Sequence, residues 1–216
     1  IRGIHFFAKH ILKKKEDINF KIKKNYINFL HKFVFKIFNN FYLFRFVNIV
    51  FFLSHYLNPI KKVQFEKFFY IQDKYYDWNK IYGDEGFVEV HILIPKKKAI
   101  SFLKSFFEFC KRNKIYSNLI VLKRLKHKKK FINFAGDGLA FSADFTINKN
   151  YSDIKSFFLN NAHKYNYIFY TAKDSIFSKK NFKFDKNFIK FKKEIKKINK
   201  NNKISSLLSD RTGITS

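Results

Sequence analysis

From Phe87 to Ile94 the chain alternates without a break. Phe87, Glu89, His91 and Leu93 point one way, and Val88, Val90, Ile92 and Ile94 the other. That period of two predicts a strand with one wholly apolar face. Pro95 then opens a predicted helix reaching about Arg112, with Ala99, Phe102, Leu103, Phe106 and Phe107 on its inner face. Strands are predicted over Asn118 to Leu125, Leu139 to Ile147 and Tyr167 to Thr171, and a helix over Tyr151 to Tyr165. Lys126 to Lys130 reads as a basic connection and Gly136-Asp137-Gly138 as a turn. Residues 86–171 therefore read β-α-β-β-α-β. This split, ferredoxin-like order predicts an α+β fold: an antiparallel sheet with its helices on one face, plus flanking helices. Many functions use this arrangement, so chemistry has to be read from the side chains.

The flanks are less regular. Residues 1–26 are basic and irregular. Across 27–57, Ile27, Leu30, Val34, Ile37, Phe38, Phe41 and Phe44 recur at helical spacing. Lys32, Lys36 and Arg45 interrupt the run, which argues against a spanning helix. One or two amphipathic helices are expected, packed on the domain as apolar helical faces usually are, or lying at a membrane surface. Val63 to Ile71 reads as a strand, and Asp73 to Tyr82 as a short helix closed by Gly83. Beyond the sheet, Phe182 to Lys200 reads as a basic helix with Phe188, Ile189, Phe191, Ile195 and Ile198 on one side. Ser205 to Ser216 is polar and reads as an extended end.

With 32 Phe and 12 Tyr among 216 residues, the chain has ample material for a core. It has no Met and opens on Ile1-Arg2-Gly3, so a fragment or processed chain is expected. The apolar run at the start is too short for a secretory signal. The single Cys110 excludes an internal disulfide and a cysteine-based zinc site, and its helical setting predicts a buried thiol. The formal charge of +29 is compatible with a polyanionic partner. Lys, Asn, Ile and Phe are inflated together, so a compositional origin for the charge is an equally good reading.

No phosphate-cradling glycine motif, paired-histidine metal motif or serine nucleophile elbow is present. Most Phe residues sit at core periodicities and the strands lack the aromatic pattern of RNA-binding sheets. The sheet face opposite the helices is different. Glu89 and His91 share it, Lys123 lies on a face with Val121 and Leu125, and Ser142 with Ala140 and Asp144. Together these would form a polar wall able to meet phosphate. Taken singly, each reads more simply as a residue that faces water, as antiparallel sheets allow. Where the last strand stops, Tyr170-Thr171-Ala172-Lys173-Asp174-Ser175 delivers a lysine, an acid and a hydroxyl together. The plainer reading is a capping Asp174 or Ser175 beside a solvated Lys173.

Several stretches in order carry a family likeness: Gly86-Phe87-Val88-Glu89-Val90-His91 with Ile94-Pro95, then Val121-Leu122-Lys123, Gly138, Ala143-Asp144-Phe145, and Tyr170-Thr171-Ala172-Lys173-Asp174-Ser175. With Phe68-Phe69-Tyr70, Asp77-Trp78-Asn79, Tyr82-Gly83 and the closing Ser205-Ser206-Leu207 and Asp210-Arg211, this set resembles the C-terminal half of FAD-linked oxidases of the vanillyl-alcohol oxidase type. Within them it is most similar to decaprenylphosphoryl-ribose 2-oxidase-like enzymes. The resemblance covers about residues 60–216, and 1–59 more loosely. It implies that 1–59 is a helical, partly amphipathic part of a cap, 60–169 the cap that meets substrate, and 170–216 a segment returning to an FAD-binding domain absent from these residues. The implied activity is oxidation of a sugar hydroxyl, as on a polyprenyl-phosphate sugar used in cell walls, to a ketone with hydride passing to flavin. Lys173 would be catalytic, Tyr170 would touch FAD, and Lys123, Glu89, His91 and Ser142 would bind substrate. Glu89 and His91 replace glutamine-type groups, Ser142 a cysteine and Ala140 a polar residue. The implied setting is cytoplasmic or peripheral to the inner face of a membrane, and no metal is implied. A rival reading from charge alone is a basic, non-catalytic module that binds nucleic acid or anionic lipid.

Overall fold

In the computed structural model the described residues are 25–26, 40–63, 75–76, 78–128, 132–173, 176–182 and 185–215. They fall in two compact units, Ile1–Gly86 and Phe87–Ser216.

In the first unit, β1 (Asn25–Tyr26) pairs in parallel with β2 (Tyr75–Tyr76). Helix α1 (Phe41–Leu57) starts at Asn40, whose side-chain oxygen accepts from the Tyr42 and Leu43 backbone N–H groups at 3.1 and 3.0 Å. Asn58-Pro59 ends it, since proline disfavours helix in the residue before it. The expectation that this apolar stretch packs as a core helix does not hold for α1: only Phe44 is buried. Of the helix expected over Asp73 to Tyr82, the second half is a 3-10 helix, Trp78–Tyr82, closed by Gly83 as expected, whereas Tyr75–Tyr76 form β2. The tyrosines pair with residues some fifty positions earlier, a contact that local pattern does not carry. The strand expected over Val63 to Ile71 lies outside the described residues except Val63, which is not in a strand.

The second unit follows the predicted order closely. Its elements are β3 (Phe87–Pro95), α2 (Lys96–Arg112), β4 (Leu119–Lys126), β5 (Asp137–Thr146), α3 (Tyr151–Tyr165) and β6 (Ile168–Phe169). The sheet order is β4-β5-β3-β6, with every neighbouring pair antiparallel. The protein is thus α+β with a four-stranded antiparallel sheet. Gly136-Asp137-Gly138 is not a turn: Asp137 and Gly138 open β5. A Cβ on Gly138 would run into the Ile94 carbonyl oxygen, so the glycine serves close strand approach instead of chain reversal.

The core lies on one face of this sheet. Val88, Val90, Ile92 and Ile94 meet Phe141, Ala143 and Phe145 of β5, beneath Phe102 and Phe106 of α2 and Ile154 and Phe158 of α3. Phe102 packs edge-on to Phe141, Tyr165 and Tyr167 at 5.4, 5.4 and 5.5 Å. Full burial of each such ring is worth about 1.5–3 kcal/mol, and edge contacts add about 0.5–1.5 kcal/mol. Cys110 is buried as expected, and burial pushes its thiol up to about 12, which leaves it protonated and unreactive at neutral pH.

The C-terminal part joins the same core through Ile176, Phe177, Phe182 and Phe188. A 3-10 turn, Lys179–Phe182, precedes α4 (Lys186–Ile198), which begins later than the pattern suggests. Asp185 sets the start by accepting from the Asn187 and Phe188 N–H groups at 3.0 and 3.2 Å. Of the apolar residues expected on one side of this helix, Phe188 is buried while Ile189 and Ile198 are exposed. Residues 207–212 correct a second expectation: in place of an extended end they form α5 (Leu207–Thr212). Ser206 and Ser209 cap each other's backbone N–H, at 3.1 and 2.8 Å. A serine in place of the usual Glu or Gln hid this box in the sequence. No helix among the described residues is long and apolar enough to cross a membrane.

Candidate functional site

The register decides which polar residues meet. Residues directly opposite each other in an antiparallel pair share a face. Ser142 lies opposite both His91 and Val121, and Asp144 opposite both Glu89 and Leu119. Ala140 lies opposite Leu93 and Lys123. All of these occupy the face turned away from α2 and α3. Beyond β6, the Tyr170 N–H donates to the His91 carbonyl at 2.8 Å, which carries the ladder one residue further and sets Tyr170 beside His91.

Glu89 is the centre of the cluster. Its Oε1 accepts from the Ser142 hydroxyl at 2.7 Å. The Lys173 ammonium reaches its two carboxylate oxygens at 3.4 and 3.3 Å. Lys173 gets there because the chain reverses after β6: its N–H donates to the Tyr170 carbonyl at 3.2 Å, which folds the lysine back over the sheet. The Glu89 side chain is 22% exposed and that of Lys173 52%, so one pole of the pair is held in protein and the other reaches solvent.

His91 stands next to this pair. Its Nδ1 lies 3.7 Å from Glu89 Oε1, too far for a hydrogen bond, and makes none. The ring sits edge-on to Phe134 at 4.8 Å and to Tyr170 at 5.1 Å, and those two rings are 4.8 Å apart. Burial lowers the His91 pKa from its ordinary 6.5; Glu89 opposes the change, and the charges of Lys173 and Lys123 add to it. The imidazole is therefore neutral at pH 7. Lys123 is exposed, one row along the face, and acts on the cluster through that charge.

Of the six residues singled out, the structure brings Glu89, His91, Ser142, Lys173 and Tyr170 into contact and keeps Lys123 at the margin. Asp174 and Ser175 lie outside the described residues. Phe134 was missed. It comes from the β4–β5 connection, and only the three-dimensional return of that connection over Leu93 places it beside His91. The nearby Gly136 marks the approach, since a Cβ there would press on Leu93 Cδ2 at 3.0 Å.

The cluster offers hydroxyl, carboxylate, ammonium and neutral imidazole beside an aromatic wall. Such a surface can hydrogen-bond a polyhydroxylated ligand and set a cation against an oxygen that gains negative charge. No group of three or more His, Cys, Asp or Glu among the described residues could hold a metal ion. A cleft of about 370 Å³, lined by Phe169, Thr171, Asn181, Phe182, Asp185 and Phe188 among others, contains none of the six residues. Its walls combine apolar side chains with the polar Asn133, His163, Asn166, Thr171, Asn181, Asp185 and Lys186. No protein-family model matches the chain, and no curated protein matches it.

Proposed function

We propose that this chain supplies the substrate-facing wall and C-terminal segment of an FAD-dependent oxidoreductase that oxidises a sugar hydroxyl to a ketone. One observation carries the reading: four positions that the family likeness marks as facing substrate or flavin meet around the Glu89 carboxylate, although they are scattered over 84 positions of sequence. On this reading Glu89 and Ser142 bind the ligand's hydroxyl groups. Lys173 holds its ammonium beside the reacting oxygen, whose proton passes to solvent as the hydride leaves for the flavin, and stabilises the negative charge that develops there. Neutral His91 is available to accept a hydrogen bond. Tyr170 and Lys173 fit one side of a flavin, an aromatic ring and a cation at the rim of a half-open face. FAD, when bound, supplies the hydride acceptor. Its phosphate site has to come from another domain, because this sequence has no glycine-rich loop. A polyprenyl-phosphate sugar as substrate would hold the assembly at the inner face of a membrane, with Lys123 set toward the phosphate.

The test is Lys173→Ala in the chain assembled with its FAD-binding domain. Reduction of the flavin by sugar substrate is expected to slow by about a hundredfold or more, while the flavin absorbance stays with the protein. Reduction at the parent rate would remove Lys173 from the chemistry.

A further inference from the structure

Helix α1 has its most regular apolar stripe on the wrong side for a protein in water. Phe46, Ile49, Val50, Leu53 and Leu57 follow the i, i+3, i+4, i+7 spacing that normally marks a buried face. They are 63, 47, 49, 48 and 79% exposed. The shielded side is a different stripe, Phe41, Phe44, Phe52 and His55. Asn48 and Arg45 lie next to that shielded stripe, so the outward face is the more apolar of the two. Tyr42 and Tyr56, both largely exposed, stand near the two ends of the helix. Seventeen residues give a rod of about 25 Å with a ring hydroxyl near either end.

Charge selects the occupant of this face. From Ile18 to Phe65 the sequence has eight Lys or Arg and no Asp or Glu. Lys61 and Lys62, just past the helix, are exposed. A second copy would bring one net charge of +29 against another, which opposes association through this face. An anionic bilayer satisfies both features at once: acyl chains take the apolar stripe, headgroups take the lysines, and interfacial tyrosines suit the boundary between them. We infer that α1 lies in the surface of an anionic membrane, with the Phe46–Leu57 stripe sunk among the acyl chains. The inference does not rest on the proposed oxidoreductase activity and can fail or stand without it.

The full chain is tested by flotation with vesicles of phosphatidylcholine alone and with one-third phosphatidylglycerol. Binding to the anionic vesicles is expected, weaker by about tenfold or more on neutral ones. The double variant Phe46→Asp, Leu53→Asp changes only exposed positions; it is expected to lose flotation by a similar factor while its circular dichroism is unchanged. In Phe46→Trp, the added emission is expected to shift to the blue with anionic vesicles. Parent-like flotation of the double variant, or an unshifted emission, would overturn the inference by leaving only surface charge to explain binding. Self-association that the double variant abolishes, with no flotation by the parent chain, would overturn it in favour of a second copy.

Discussion

Helices α1 and α2 are both 17 residues long, yet they use their apolar side chains in opposite ways. Thirteen of the residues in α1 are apolar and one is buried, Phe44. Eight of those in α2 are apolar, among six Lys and Arg, and four are buried: Ala99, Phe102, Phe106 and Cys110. Content does not explain this. In α2 the apolar groups apart from the exposed Ile100 fall on one stripe that faces a sheet, and the lysines occupy most of the remainder, so hydration and burial compete little. In α1 they run almost all the way round, and no single packing surface can cover them. Periodicity with a partner makes a core; hydrophobicity without one makes a surface in need of a partner.

The largest expected effect tests that contrast directly. Phe106→Ala in α2 should cost about 3–5 kcal/mol of unfolding free energy in urea titrations. Phe46→Ala in α1 should change it by less than about 0.5 kcal/mol. Similar losses from the two would show that α1 is shielded after all and would break the comparison. A second substitution asks whether close strand approach matters as much as ring packing. Gly138→Ala pushes a methyl group at the Ile94 carbonyl and should cost about 1–3 kcal/mol. An unchanged unfolding midpoint would mean that the β3–β5 pair parts at little cost.

The smallest effect belongs to the open face. Because the folded pKa of His91 lies below 6.5, the unfolded chain binds more protons than the folded one just below that pH. Stability is therefore expected to fall as pH drops through the unfolded value of 6.5. His91→Gln should flatten that part of the profile by less than about 1 kcal/mol. A slope that survives the substitution would assign the proton uptake to another group.

The sheet was legible because each of its strands carries its own pattern. Val88 to Ile94 need only alternate to declare a face, and the helix that follows Pro95 needs only its Phe spacing. The same alternation put Glu89, His91 and Ser142 on the open side before any register was known. Their assembly was less legible. Ser142 lies opposite His91 but bonds diagonally to Glu89, and Lys173 arrives only through a reversal after β6. Phe134 and the Ser206–Ser209 box depend on returns of the chain that no short window contains. The exposure of α1 was illegible for another reason: apolar spacing says that a face wants cover, and says nothing about what provides it.

The reversal that carries Lys173 is closed at both ends by rings. Phe169 precedes it and Phe177 follows it; both are buried, their centroids are 5.9 Å apart, and the Arg211 guanidinium lies 4.5 Å from the centre of the Phe177 ring. With Phe169 buried, the Tyr170 N–H bonded to the His91 carbonyl and the Lys173 N–H bonded to the Tyr170 carbonyl, Lys173 is only a few residues from a fixed point and gives up configurational freedom when the core forms. The ammonium then meets Glu89 at a high effective concentration set by chain connectivity, and salt that screens the charge should leave it near the same spot.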